Sequence, residues 1–167
     1  MAINKEQILD KLSAVFGDSI LAHSEPYGML KIEYKADVHK EIVSLLKEDD
    51  LFRFRFLTDL CAVHYPGDQG RELAIVSHLH SLENNFRLRL ECRISEKNPE
   101  VSSLTELFSG ANWMERETYD FFGVRFIGHP DLRRILNVDH MDFFPLLKQY
   151  PLEDSSREDK DDRFFGR

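Results

Sequence analysis

Phe86-Arg87-Leu88-Arg89-Leu90-Glu91-Cys92-Arg93-Ile94 decides the fold. Apolar side chains at every second position alternate with charged ones, as in a strand with one face on a core and one in water. Glu72 to Leu82 is a second strand, joined to the first by Glu83-Asn84-Asn85, a connection short enough for an antiparallel hairpin. Phe56 to Tyr65 supplies a third. Upstream, Ser19 to His23 and Met29 to Tyr34 flank the turn signal Pro26-Tyr27-Gly28, and Leu30, Ile32 and Tyr34 alternate with Lys31, Glu33 and Lys35. Two helices complete the pattern. Asn4 caps the first, Ile8, Leu9, Leu12, Val15 and Phe16 recur at helical spacing, and Gly17 stops it. The second runs from Asp37 to about Lys47, with Val38, Ile42, Leu45 and Leu46 inward. The class is α+β: a two-layer domain with two helices on a mostly antiparallel, mixed five-stranded sheet.

After Pro99 the pattern changes. Ser102 or Ser103 is expected to cap a short helix through Phe108, and Asn112 a second from Trp113 to about Phe122, stopped by Gly123. Pro130 restrains His129 and is expected to open a helical turn presenting Arg133 and Arg134 together. Periodicity ends at Leu136. The reading is therefore a domain over 1–136 and an extended partner-binding arm over 137–167. Disordered tails are poor in aromatics, whereas this stretch holds Phe143, Phe144, Tyr150, Phe164 and Phe165.

Composition excludes more than it assigns. With 42% hydrophobic residues in 167 the chain can bury a core, and its net charge of −8 disfavours a duplex-binding or lipid-binding surface. No run approaches the ~20 apolar residues of a membrane span, so no direct membrane insertion is expected. The start carries no signal-peptide or transit character. Cys61 and Cys92 are too few for a disulfide framework or a cysteine-built metal site, and both read as buried small hydrophobes. No glycine pattern forms a dinucleotide or phosphate cradle. Phe52-Arg53-Phe54-Arg55-Phe56 resembles a single-strand nucleic-acid platform, but strand alternation sends its Phe inward and its Arg outward, and no nucleic acid is expected as a partner.

Two constellations could carry chemistry. In Glu115-Arg116-Glu117-Thr118-Tyr119-Asp120, Glu117 and Asp120 share a helix face and could form an acid–base pair; the competing reading is an ion-pair lattice, with Arg116 four residues before Asp120. His78 and His80 lie on one side of a strand at a spacing compatible with a metal module, against the plainer reading of surface or partner-facing histidines. Arg133 and Arg134 either close an internal bridge to the acidic cluster or grip a neighbour's carboxylate.

The stretch from Ala111 through Phe126, with its Glu115-Arg116-Glu117 opening and Asp120-Phe121-Phe122-Gly123 step, runs on into Gly128-His129-Pro130-Asp131-Leu132-Arg133-Arg134-Ile135-Leu136. It closely resembles the signature of the 30 kDa-type subunit, lettered C, of proton-translocating NADH-quinone oxidoreductase, respiratory complex I. Thr58-Asp59-Leu60-Cys61-Ala62-Val63, Ser77-His78-Leu79-His80-Ser81 and Pro145-Leu146 with Tyr150-Pro151-Leu152 add to the match, which covers the chain from about Phe56 onward. The resemblance implies a non-catalytic peripheral-arm subunit of a hetero-oligomer. It would pack beside the quinone-site subunit, lettered D in such complexes, and near the one lettered B. It implies no cofactor on this chain, although the assembled complex uses NADH, FMN, iron–sulfur clusters and quinone. Its implied place is peripheral, on the cytoplasmic side of a bacterial inner membrane. Trp113, Glu115, Arg116, Glu117, Asp120, His129, Asp131, Arg133, Arg134, Pro145, Tyr150 and Phe164 would then be structural and interfacial residues. The chain departs from the family pattern at Leu147 and Gln149, where an Arg and an acid are usual, and at His64, where an Asp is common.

Overall fold

The computed structural model describes residues 3–151. Helix α1 (Lys5–Phe16) opens with a reciprocal cap: Asn4 Oδ1 accepts the Gln7 N–H at 2.9 Å, and Gln7 Oε1 accepts the Asn4 N–H at 3.0 Å. Strands β1 (Ile20–Ser24) and β2 (Leu30–Lys35) follow, then a 3-10 turn leading into α2 (His39–Glu48). Strands β3 (Phe56–His64), β4 (Leu73–Ser81) and β5 (Phe86–Ile94) come next, each within a residue or two of its expected bounds.

The sheet order is β1-β2-β5-β4-β3, with β2 and β5 parallel and every other pair antiparallel. The mixed α+β architecture expected from alternation is the one observed. Leu30, Ile32 and Tyr34 line one face with Leu88, Leu90, Cys92, Ile75 and Leu79, under Ile8 and Leu12 of α1 and Ile42 and Leu46 of α2. Each such side chain contributes roughly 1.5–3 kcal/mol by leaving water, so the period-2 and period-3.6 stripes meet in one core.

Four local expectations fail. No helix forms between Ser102 and Phe108. Glu100–Ser102 is strand β6, pairing in parallel with β7 (Arg125–Ile127), and the Ser103 N–H donates to the Ile127 carbonyl at 2.8 Å. Strands of three residues are too short to show a period. Second, α3 spans Ala111–Phe122 with Gly110 in the capping position, so Asn112 lies inside the helix. Third, Phe52 and Phe54 are buried from a loop, with Arg53 at φ 48°, while Phe56 is the first strand residue and half exposed. Fourth, Cys61 faces away from the core, opposite Val76, and is only partly buried; Cys92 is buried as expected.

Beyond Ile127 the described chain has neither helix nor strand, yet it packs. Leu147 joins the hydrophobic core, and the Leu146 N–H donates to the Phe121 carbonyl at 3.1 Å. Packing therefore continues past residue 136 onto the body of the domain, while Phe164 and the rest of 152–167 lie outside the described residues. No helix among the described residues is long and apolar enough to cross a membrane.

Candidate functional site

The chemistry-bearing residues converge on α3 and the segments bonded to it. Asp120, on the last turn of α3, is fully buried, and five donors meet it. Its Oδ2 accepts the backbone N–H groups of Ile135 (3.1 Å), Leu136 (2.8 Å) and Asn137 (2.9 Å). Its Oδ1 accepts Asn137 Nδ2 at 3.0 Å and Arg134 Nη1 at 2.7 Å. Burial pushes this carboxyl up, but the N–H groups of Asn137 and Leu136 with the Arg134 guanidinium outweigh it and hold the group well below the usual carboxylate range. Arg134 also donates Nη2 to the carbonyls of Met141 and Phe143, both at 2.9 Å, and stacks over the Phe144 ring at 5.0 Å. One buried ion pair thus organises the whole loop from Arg133 to Phe144.

Glu115 is also fully buried, on the other side of α3. It accepts Ser103 Oγ at 2.7 Å and the Leu104 N–H at 2.6 Å. Burial pushes its carboxyl up to about 7, against the lowering effect of those two donors. Arg116 donates Nε to the Arg133 carbonyl at 3.2 Å and Nη2 to that of Arg134 at 3.4 Å, under the Trp113 ring at 4.9 Å. His129 Nδ1 accepts the Asp131 N–H at 3.0 Å, so Nε2 carries the proton donated to the Asn112 carbonyl at 3.1 Å.

Three site expectations change. Arg116 does not pair with Asp120 along the helix; the loop arginine Arg134 takes that carboxylate and Arg116 binds loop carbonyls. Pro130 opens no helical turn, and Arg133 and Arg134 diverge: Arg133 is 71% exposed beside Asp131, whereas Arg134 is 9% exposed on Asp120. Glu117 and Asp120 do not share surroundings, because Glu117 is exposed and Asp120 is sealed by five donors. Glu117 instead borders a cavity of about 240 Å³ between α3 and β3, lined by Leu60, Ala62, Phe121 and Leu146.

Two features were not legible in the sequence. The Phe144 ring lies where a side chain on Gly123 would stand, 2.6 Å from an added Cβ, and Gly123 holds φ +79° to end α3. His64, buried, accepts the Lys148 N–H at Nδ1 (2.9 Å), with Nε2 3.3 Å from Glu96 Oε2. His64, one departure from the family pattern, therefore holds the residue that follows Leu147, another departure. Pro145 is half-buried in this segment, and Tyr150 packs on Phe143 at 4.8 Å.

His78 and His80 stand on the sheet face opposite the helices. Asp59 lies across from His78 at 3.7 Å. Among the described residues no three His, Cys, Asp or Glu side chains group closely enough to hold a metal ion. Burial pushes the Cys61 thiol up to about 11 and that of Cys92 up to about 12, far from nucleophilic readiness.

Trp113, Ile127, Leu136, Val138, Leu146 and Tyr150 leave between 39% and 64% exposure open on α3 and its bonded segments. The family model of the respiratory-chain NADH dehydrogenase 30 kDa subunit matches residues 32–156. The chain belongs to this family. A relative from Roseiflexus castenholzii, named as the C-lettered subunit of NADH-quinone oxidoreductase, is 41% identical over 152 residues, 91% of this chain and 87% of the relative. A relative of the same name from Burkholderia cenocepacia is 39% identical over 158 residues, 91% of this chain and 79% of that one. Among solved structures, a trypsin-resistant fragment of Nqo5 superposes with a TM-score of 0.66 at 29% identity, covering 76% of this chain and 98% of the fragment. A chain of the archaeal membrane-bound sulfane sulfur reductase shares the fold, with a TM-score of 0.72 at 20% identity over 88% of this chain and 85% of its own. As a 30 kDa-type member, the chain is a subunit of an NADH-quinone oxidoreductase.

Proposed function

We propose that the chain is a non-catalytic scaffold subunit of the peripheral arm, binding no cofactor itself. It supports assembly beside the quinone-site subunit, lettered D, and near the one lettered B. It sits at the cytoplasmic side of the bacterial inner membrane and is attached through its partners. One observation carries this reading: four charged groups of the signature are consumed internally, while apolar side chains are left outside. Glu115, Arg116, Asp120 and Arg134 spend their bonding capacity on backbone, on each other and on the side chains of Ser103 and Asn137. Trp113 on α3, and Leu136 and Val138 on the loop fastened by those bonds, remain exposed. Reactive sites keep polar groups free for substrate, whereas binding sites present preorganised apolar anchors.

The test is a Trp113→Ala, Leu136→Asp double variant. Both side chains are more than 60% exposed, so the thermal midpoint of the variant chain should match the parent. Co-purification with the quinone-site subunit should drop roughly tenfold or more, the scale on which buried aromatic anchors act. Unchanged retention of that subunit would overturn the assignment.

A further inference from the structure

The sheet face opposite the helices is closed at one end and open at the other. At the closed end the loop after β3 folds over it: Asp68 meets Arg93 at 2.6 Å, Arg71 pairs with Glu33, and Tyr65 lies under the Arg93 guanidinium at 4.4 Å. Glu91 is occupied there too, by Lys31 at 2.7 Å and Arg93 at 3.1 Å. At the open end, β-ladder register places Phe56 opposite His80, His80 opposite Arg87, and His78 opposite Arg89. Residues directly opposite one another project on the same side, so two arginines, two histidines and a half-exposed phenylalanine share this patch.

The patch is electrostatically unfinished. Among the described residues neither Arg87 nor Arg89 has a carboxylate within 4.0 Å, while the neighbouring Arg93, Arg53 and Arg55 are all paired. Arg89 Nε and His80 Nε2 are shielded from solvent and, among the described residues, have no hydrogen-bond partner. Asp59 stands at the edge of the patch, 3.7 Å from His78. An unpaired, shielded donor such as Arg89 Nε costs free energy, and the deficit is removed when an acceptor arrives. The exposed Phe56 adds apolar contact beside them.

The geometry points to this patch as a second docking surface, receiving a carboxylate-bearing segment of a neighbouring subunit whose acids pair with Arg87 and Arg89 while its apolar part covers Phe56. The inference rests on the subunit reading above but uses a surface distinct from α3. Charge complementarity selects the occupant: within a chain of net charge −8, an uncompensated pair of arginines on the face opposite α1 and α2 fits an acidic partner.

The test uses the intact complex carrying p-benzoylphenylalanine in place of Phe56, irradiated and digested for mass spectrometry. The expected cross-link joins position 56 to an Asp- or Glu-bearing segment of another subunit. Arg87→Glu should lower its yield roughly tenfold, and Arg87→Lys should keep it. Arg87 is exposed, so neither change disturbs packing. A cross-link to this chain's own residues 152–167, to a segment without carboxylates, or to nothing overturns the inference, as does indifference to Arg87→Glu. Co-purification with the quinone-site subunit is read on the same sample. Its loss in the parent chain overturns the subunit reading, whereas its presence without the cross-link overturns only the docking surface.

Discussion

Replacing Glu115 by Gln isolates the contribution of one buried carboxyl. Glu115 has no solvent exposure, and burial moves its carboxyl from an ordinary 4.5 to about 7. The folded state therefore holds the proton more tightly than the unfolded chain. The stability linked to that proton is fully present below pH ~4.5 and is lost as the pH rises through about 7. A shift of this size corresponds to about 3 kcal/mol, an upper figure because local rearrangement relieves part of the burial cost. Gln keeps the shape: its Oε1 can accept the Leu104 N–H, and its amide can donate to Ser103 Oγ, which already contacts Thr105 Oγ1 at 2.8 Å. Chemical denaturation of parent and variant from pH 5 to pH 9 reads the difference, with all other titrating groups cancelling. The two chains should be close in stability at pH 5, and the variant should be more stable by about 1–3 kcal/mol at pH 8.5. Parallel stability curves across that range would refute the reasoning, since they would show Glu115 ionising alike in both states.

Asp120→Ala should cost about 3–5 kcal/mol, because it strands Arg134 and three backbone N–H groups in the interior; a lowered denaturation midpoint with new tryptic cleavage after Arg133 and Arg134 would report it. Gly123→Ala forces a left-handed backbone on a residue with a Cβ and drives that Cβ to 2.6 Å from the Phe144 ring. A loss of about 1–3 kcal/mol in thermal or chemical unfolding is expected. His64→Leu removes the acceptor of the Lys148 N–H while keeping bulk. Hydrogen exchange at Lys148 should accelerate roughly tenfold, with protection in β4 and β5 unchanged.

The elements that were legible beforehand are those whose pattern is local. Leu88, Leu90 and Cys92 face the core because a pleated strand turns alternate residues the same way, and Asn4 caps α1 because the N–H that its side chain accepts lies three residues away. The failures share one cause. Ser102 and Ser103 suit a helix start by local preference, but pairing of Glu100–Ser102 with Arg125–Ile127 wins, with Val101 and Phe126 buried together. Pro130 could open a helical turn, but the five donors on Asp120 bind the following loop in an irregular path. Chemical type likewise failed to separate Arg133 from Arg134: identical side chains one residue apart have opposite fates, 71% and 9% exposed.

By itself the amino-acid order determined the sheet, its two faces, the bounds of α1 and of the long strands, and a resemblance that the family match bore out. Those properties depend on neighbours within a few positions, where side-chain period and caps act directly. Tertiary structure alone decided that Asp120 is anionic in the interior, that Glu115 stays near its midpoint at neutral pH, and that His64 fastens the C-terminal segment. Each of those states depends on a partner remote in sequence: 14 residues away for Arg134, 11 for Leu104 and 84 for Lys148. No local period records such pairings. They arise only when the core closes, water is excluded, and each buried polar group must find whatever donor the fold has brought beside it.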